Sequence, residues 1–409
     1  MENRSRKKQD SGITFWQVLL ITAVGVLVTL AVFFFLLPAL SDKRPAAETT
    51  TEAAAEAILP AEEETEKQVI SVTVETTAPP ETEPPKPVVM RFAGDILMDP
   101  NYAVMATLLN RTGGKPAVEQ AFDEGALSLM RDADIFMVNN EFPYSLRGTP
   151  LLNKQYTFRA DPAYASLLAD MGADIVSLAN NHMFDHGEDA LLDTLDTLTA
   201  LELPHIGAGR DISEASASYT FELEGMKITF LSATQIERLG NPDTRGATET
   251  LPGVFRCLSD ELFCKKIKEA KASSDIVVAY VHWGTESTEK VDEHQKKLAK
   301  HIAEAGADVI IGDHPHVLQG IEYVDGVPCI YSLGNYWFNS KNQDSCLFEV
   351  TLDPETKAVG SVRFLPMRQE GCTVKTPDAA EAARIIEYMN SISAAHIDAE
   401  GYVTITPDE

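Results

Sequence analysis

Uninterrupted apolar runs recur from residue 88 onward, each leading into polar, chemically active residues. Val88–Ala93 leads to Gly94-Asp95, Ile135–Val138 to Asn139-Asn140-Glu141, and Ile175–Leu178 to Asn180-Asn181-His182 with Asp185. Ile276–Val281 leads to His282-Trp283, and Val309–Ile311 to Gly312-Asp313-His314-Pro315-His316. Runs that are apolar at every position suit strands buried on both faces, and in α/β sheets the ligand site lies at the strands' carboxyl ends. Helical periodicity predicts helices at Tyr102–Leu109, Ala117–Arg131, Pro162–Met171, Glu188–Leu201 and Asp292–Ala305. Gly172 and Gly306 act as stop signals for two of them. Tyr219–Leu223 and Lys227–Leu231, joined through Glu224-Gly225-Met226, read as a hairpin. Strand-like pieces follow at Ile321–Val324, Val327–Leu333, Cys346–Leu352 and Val359–Leu365, then a helix at Ala379–Ser391. Alternation first and strands later predicts an α/β class of layered mixed β-sheets flanked by helices, one domain over residues 88–409.

The N-terminus follows different rules. Ile13–Leu40 is 28 residues without a charge, and a bilayer-crossing helix needs roughly 20 apolar residues. A cleavable signal has a shorter apolar core of about 7–15 residues and a small-residue cleavage site; the span instead runs into Leu37-Pro38-Ala39-Leu40. Arg4, Arg6, Lys7 and Lys8 precede it, so residues 1–12 are expected in the cytoplasm, 13–40 as a single-pass anchor, and the main domain on the far side. Residues 41–87 are rich in Thr, Glu, Ala and Pro and close on Pro79-Pro80, Pro84-Pro85 and Pro87. Such a segment buries too little apolar surface to offset its chain entropy, so a disordered stalk is expected.

Charge narrows the partners. Of the net −28, residues 1–40 contribute +2 and 41–87 contribute −7, leaving −23 on the remainder. A domain that acidic repels nucleic acid and anionic surfaces over a Debye length of about 8 Å. No nucleic-acid partner is expected. The five cysteines are Cys257, Cys264, Cys329, Cys346 and Cys372. No C-x-x-C occurs, which argues against a thiolate zinc site; Cys257 and Cys264 are the pair open to a disulfide.

Carboxylates, an amide oxygen and imidazoles converging on one edge are what divalent metal binding requires. Adjacent polar residues at a strand exit, as in Asn180-Asn181-His182, are costly to bury unless something coordinates or hydrogen-bonds them. In His314-Pro315-His316, an extended backbone would place both imidazoles on one face. His205, His294, His301 and His396 read as solvated or packing residues, and Arg147, Lys154 and Arg159 as a candidate basic patch for a polyanion.

Several tracts together resemble the CapA family, capsule-synthesis proteins linked to poly-γ-glutamate with a metallophosphoesterase-like fold. They are Gly94-Asp95-Ile96, the run Asp174–His182, Asp185-His186-Gly187, His205–Gly209, Val281–Gly284, Gly306–Gly320 and Tyr331–Asn335. The resemblance covers about Val88 to Leu365. It implies divalent metal, Mn, Zn or Fe, held by Asp95, Glu141, Asn181, His282, His314 and His316. It also implies a substrate-facing His182 oriented by Asp185, with Asn335 lining the site. Leu97 stands where the wider superfamily's Asp-x-His motif carries histidine, and Glu141 where it carries aspartate. The implied roles are capsule biosynthesis or export at the bacterial cell membrane through a hydrolase-type site, or non-catalytic holding of the polymer beside a membrane synthase.

Overall fold

The computed structural model describes residues 85–236 and 244–405. The expected anchor at Ile13–Leu40 and nearly all of the stalk lie outside the described residues. Among the described residues no helix is long and apolar enough to cross a membrane.

In chain order the strands are β1 (Val88–Ile96), β2 (Ile135–Asn140), β3 (Ile175–Ser177), β4 (His205–Ile206), β5 (Ala208–Gly209), β6 (Tyr219–Leu223), β7 (Met226–Thr234), β8 (Gly253–Val254) and β9 (Ile276–His282). They continue as β10 (Val309–Asp313), β11 (Leu318–Val324), β12 (Val327–Leu333), β13 (Asn335–Trp337), β14 (Gln343–Asp353), β15 (Ala358–Glu370), β16 (Thr373–Lys375), β17 (His396–Ile397) and β18 (Val403–Thr404). The helices are α1 (Ala103–Thr112), α2 (Glu124–Arg131), α3 (Ser166–Met171), α4 (Glu188–Ala200), α5 (Ile212–Ala215), α6 (Glu261–Lys271), α7 (Glu293–Ala305) and α8 (Ala379–Ile392).

Two mixed sheets carry the fold. One runs β16-β15-β14-β1-β2-β3-β4, with β13 added parallel to β1; the other runs β11-β12-β10-β9-β7-β6. Alternate residues of the apolar strands face different neighbours. Met90, Phe92, Ile135 and Met137 of the first sheet join Phe230, Val278, Tyr280 and Ile311 of the second in a shared core. Phe136 and Val138 turn the other way, among Val104, Leu127, Leu168 and Leu195 of the helices. On the far side Val277, Ala279 and Val281 meet Phe263, Ile267, Leu298 and Ile302. The layers are therefore helices, sheet, sheet, helices. Strands buried on both faces explain why their sequences are apolar throughout rather than alternating.

The hairpin forms as β6 and β7, with Glu224 at φ 48° and Gly225 at φ 75°. Positive φ at both central residues gives the twist that matches paired strands. The single helix expected over Ala117–Arg131 is broken. A short 3-10 turn, Val118–Gln120, precedes α2, and Asp123 caps α2 by accepting the Ala126 N–H at 2.8 Å while also taking the Thr376 N–H. Helix α6 escapes notice in sequence because Lys265, Lys266 and Lys268 crowd its apolar stripe of Phe263, Ile267 and Ala270. All five cysteines carry free thiols, Cys257 and Cys264 included.

The sheets are drawn together where β12 leaves the second sheet and β13 joins the first. Asp95 N–H donates to Gly334 O at 3.1 Å, and Asp95 pairs with Asn335 in register. A Cβ on Gly94 would stand 1.9 Å from Gly334 O. Gly94→Ala is therefore expected to cost about 3 kcal/mol in urea denaturation, as overpacking against immobile backbone does. An unchanged midpoint would show that this crossing yields without penalty.

Candidate metal centre

Strand register sets the site. Asp95 of β1 lies beside Asn139 of β2, and Asn139 beside Ser177 of β3. In the second sheet His282 of β9 pairs with Asp313 of β10. The strand tips of both sheets thus meet at one end of the shared core, and the polar cluster there is almost wholly buried.

Glu141 sits at its centre. Its Oε1 is 3.5 Å from His282 Nε2, and its Oε2 is 3.9 Å from His316 Nδ1. Around His282 Nε2 gather Asn181 Oδ1 at 2.7 Å and His314 Nδ1 at 3.1 Å. Around His316 Nδ1 gather Asp95 Oδ2 at 2.9 Å and Asn335 Oδ1 at 2.8 Å. Three sets of donor atoms result, Glu141–His282–His314, Asp95–Glu141–His316 and Asp95–His282–Asp313, with Glu141 common to the first two. Both Glu141 oxygens and Asp313 Oδ2 are buried without a hydrogen-bond donor. Buried carboxylate oxygens without donors are expensive, and a divalent cation among them is the natural counter-charge. Mixed oxygen and imidazole donors at this spacing fit a divalent transition metal.

The histidines reach the cluster by a route different from the one expected. Strand β10 ends at Asp313, and His314 and His316 take φ of 96° and 58°. They are not extended neighbours sharing a face; two left-handed residues flanking Pro315 fold both rings inward. Such backbone costs of the order of 1–3 kcal/mol per residue and persists where surrounding structure imposes it.

Supporting contacts include residues that sequence reading left out. Asp313 Oδ1 lies 2.8 Å from His282 Nδ1, the carboxylate–imidazole pairing that turns Nε2 toward a metal. Asn139 donates to Asp95 Oδ1 at 2.8 Å, and Asn180 donates to Asn139 Oδ1 at 3.0 Å. Asp313 already stood within a recognisable tract; Asn139 and Asn180 look like turn residues until the register is known.

His182 stands at the edge of the cluster, Nε2 3.9 Å from Glu141 Oε1. Its Nδ1 lies 2.6 Å from Asp185 Oδ2, and its ring stacks on Phe158 at 4.1 Å. The bends after β3 bring His182 Nε2 within 3.9 Å of Glu141 Oε1 and Asn181 Oδ1 within 2.7 Å of His282 Nε2. A cleft of about 400 Å³ opens here, lined among others by Leu97, Tyr156, Phe158, His182, His316 and Lys341.

Burial dominates the electrostatics. It pushes Glu141 and Asp313 well above the usual carboxylate range, reinforced by the Asp95 charge. Burial also acts on Asp95, but His316 and His282 beside it hold that carboxyl below its ordinary value. His314 and His182 are pushed well down by burial, the first aided by His282 and the second by Lys154. For His316 the Asp95 contact outweighs burial and raises it. Asp95 and His316 thus favour each other's charged forms, while burial disfavours the charged forms of Glu141, Asp313, His314 and His182.

Each cation of the basic loop already has partners within the chain. Arg147 pairs with Asp189 at 3.0 Å and Asp193 at 2.5 Å, and Lys154 pairs with Asp185 at 2.6 Å. Arg159 donates to Arg147 O at 3.0 Å. Of the histidines set aside, His301 pairs with Asp260, and His205 makes a local contact to Leu203 O.

A mixed-sheet α/β protein with a buried acid–imidazole–amide cluster at its strand tips is the class that fold and site define. The model of the bacterial capsule synthesis protein family PGA_cap matches residues 89–340, and the chain belongs to that family. It is 31% identical over 278 residues to the PGA biosynthesis protein CapA of Bacillus subtilis, covering 67% of this chain and 69% of that one. Against the capsule biosynthesis protein CapA of Bacillus anthracis it is 28% identical over 322 residues, covering 76% and 75%. Among solved structures, a phosphatase of Mycoplasma pneumoniae aligns over 69% of this chain and 94% of its own at TM-score 0.44 and 14% identity. That likeness is too loose to carry an argument.

Proposed function

We propose that the chain acts in poly-γ-glutamate capsule biosynthesis or export, as an anchored protein whose extracytoplasmic domain carries a metal-dependent, metallophosphoesterase-like hydrolase site. The observation behind the metal is Glu141, whose two donorless oxygens face two different sets of ligand atoms. In this reading Asp95, Glu141 and His316 would hold an ion on one side, and Glu141, Asn181, His282 and His314 would do so on the other. A bound divalent ion of the Mn, Zn or Fe kind supplies Lewis-acid polarisation and activates water near neutral pH. The protein's own part is orientation. Asp313 aims His282, Asn335 lines the His316 side of the cluster, and Asp185 fixes His182, which presents Nε2 to the cleft to move a proton. The relatives' names, which place them in PGA and capsule biosynthesis, support the pathway. The uncharged Ile13–Leu40 span supports the anchor.

Elemental analysis of the purified full chain, with turnover on a panel of chromogenic phosphoesters and poly-γ-glutamate, tests the site. Bound transition metal with metal-dependent turnover is expected, and no metal even after reconstitution would sink it. Metal without turnover on any substrate would favour the polymer-holding role beside a membrane synthase, the reading to which Leu97 in the cleft wall points. Protease added to wall-stripped cells should cut within residues 41–87. Full protection would reverse the topology.

A further inference from the structure

Lys154 is an anomaly that the hydrolase reading leaves unused. Its side chain is only 5% exposed, although it lies on a loop. Lysine is almost never buried unless paired. The ammonium donates to Asp185 Oδ1 at 2.6 Å and to the Asn181 carbonyl at 2.5 Å. Those two acceptors belong to different parts of the site: Asn181 turns its amide to the metal cluster, while Asp185 holds His182. The other Asp185 oxygen takes the Phe158 N–H at 2.7 Å and lies 2.6 Å from His182 Nδ1. Leu151 N–H donates to the Asp185 backbone carbonyl at 2.8 Å. One loop, residues 151–158, is thus strapped onto Asp185 by Leu151, Lys154 and Phe158, and Phe158 then closes over the His182 ring.

We propose that Lys154 is a positioning residue, tying the Asn181 turn to Asp185 so that the His182 ring is fixed in one tautomer and one direction relative to the metal cluster. Three features separate this from ordinary packing. The ammonium donates to Asp185 Oδ1, an oxygen of a fully buried carboxylate, so its loss removes a donor that water cannot readily replace. The second acceptor is the backbone of the residue adjoining His182 itself. The same loop supplies both the cation and the ring stacked on His182. A point cation with rotatable donors suits two acceptors that are not coplanar, whereas a guanidinium favours planar, bidentate partners.

The proposal rests on the hydrolase reading for its kinetic test but carries a second readout that does not. In the full chain, Lys154→Met is expected to retain metal stoichiometry and KM while kcat falls about 100-fold, within the range for an impaired general acid–base. Lys154→Arg should recover part of the loss. With ¹⁵N-labelled histidine, His182 in the parent should show a single tautomer protonated at Nδ1, and Lys154→Met should show a mixture of tautomers. Loss of metal together with kcat would make Lys154 a prop for the ligand turn and overturn the proposal. An unchanged His182 spectrum in Lys154→Met would overturn it too. Should the parent hydrolyse nothing, the hydrolase reading fails, and the tautomer measurement still decides Lys154. If Lys154→Met does not fold, Lys154→Gln, which removes the cation but keeps a polar side chain, gives the same spectral comparison.

Discussion

His182→Ala is expected to keep its metal and its Tm while losing turnover by about 10²–10⁴-fold, the usual contribution of a positioned acid or base. His316→Ala should lose metal and turnover together. The difference follows from where the rings stand. His316 Nδ1 is 2.9 Å from Asp95 Oδ2 and 3.9 Å from Glu141 Oε2, within a donor set. His182 belongs to none of the donor sets that the cluster offers. It reaches Glu141 no closer than 3.9 Å and is held from behind by Asp185. Metal analysis, calorimetry and turnover on the same three proteins check the pair. A His182→Ala protein that restores capsule in a deletion strain as fully as the parent would replace the catalytic reading by the scaffold one. If it loses metal, His182 is a ligand or a prop.

Glu141→Gln should invert the usual effect of a core substitution. In the metal-free protein the parent buries two carboxylate oxygens with no donor beside two other buried acids, Asp95 and Asp313. The amide is uncharged and brings two N–H donors of its own, so metal-free Glu141→Gln is expected to melt above the metal-free parent. Added metal then separates them in the other direction. A ligand at 1,000 times its Kd stabilises by about 4 kcal/mol, or roughly 6 °C for a domain of this size. The parent should gain that shift and Glu141→Gln less than a third of it. Equal metal-induced shifts in the two proteins would remove Glu141 from the bridging position.

The strands were readable because burial on both faces writes itself as continuous apolar sequence, and the polar tips of β1, β2, β9 and β10 stand out against it. Convergence was not readable. Asp95 and His316 are more than two hundred residues apart, and only the meeting of two sheets makes them neighbours. The supporting roles of Asp313, Asn139 and Asn180 within their tracts are not legible because a second row of contacts depends on register, which a single strand does not encode. The inward turn of His314 and His316 contradicts the extended backbone that local spacing suggests, since positive φ in a non-glycine residue is imposed from outside. In sequence Lys154 stands out only as part of a basic patch, for the same reason. Its burial is a property of the loop's docking, not of the loop.

The split origin of the donors has a consequence for how an ion would arrive. Asp95, Glu141 and Asn181 come from the first sheet's strand tips, and His282, His314 and His316 from the second's. On the proposed metal reading, a partly synthesised or partly folded chain lacks half the set and competes poorly for a cation. Tight capture would then wait for the two sheets to close, and the ion taken up would depend on which cations are free in the surroundings at that moment. Refolding the same chain in different metal mixtures should yield differently loaded proteins that exchange slowly afterwards.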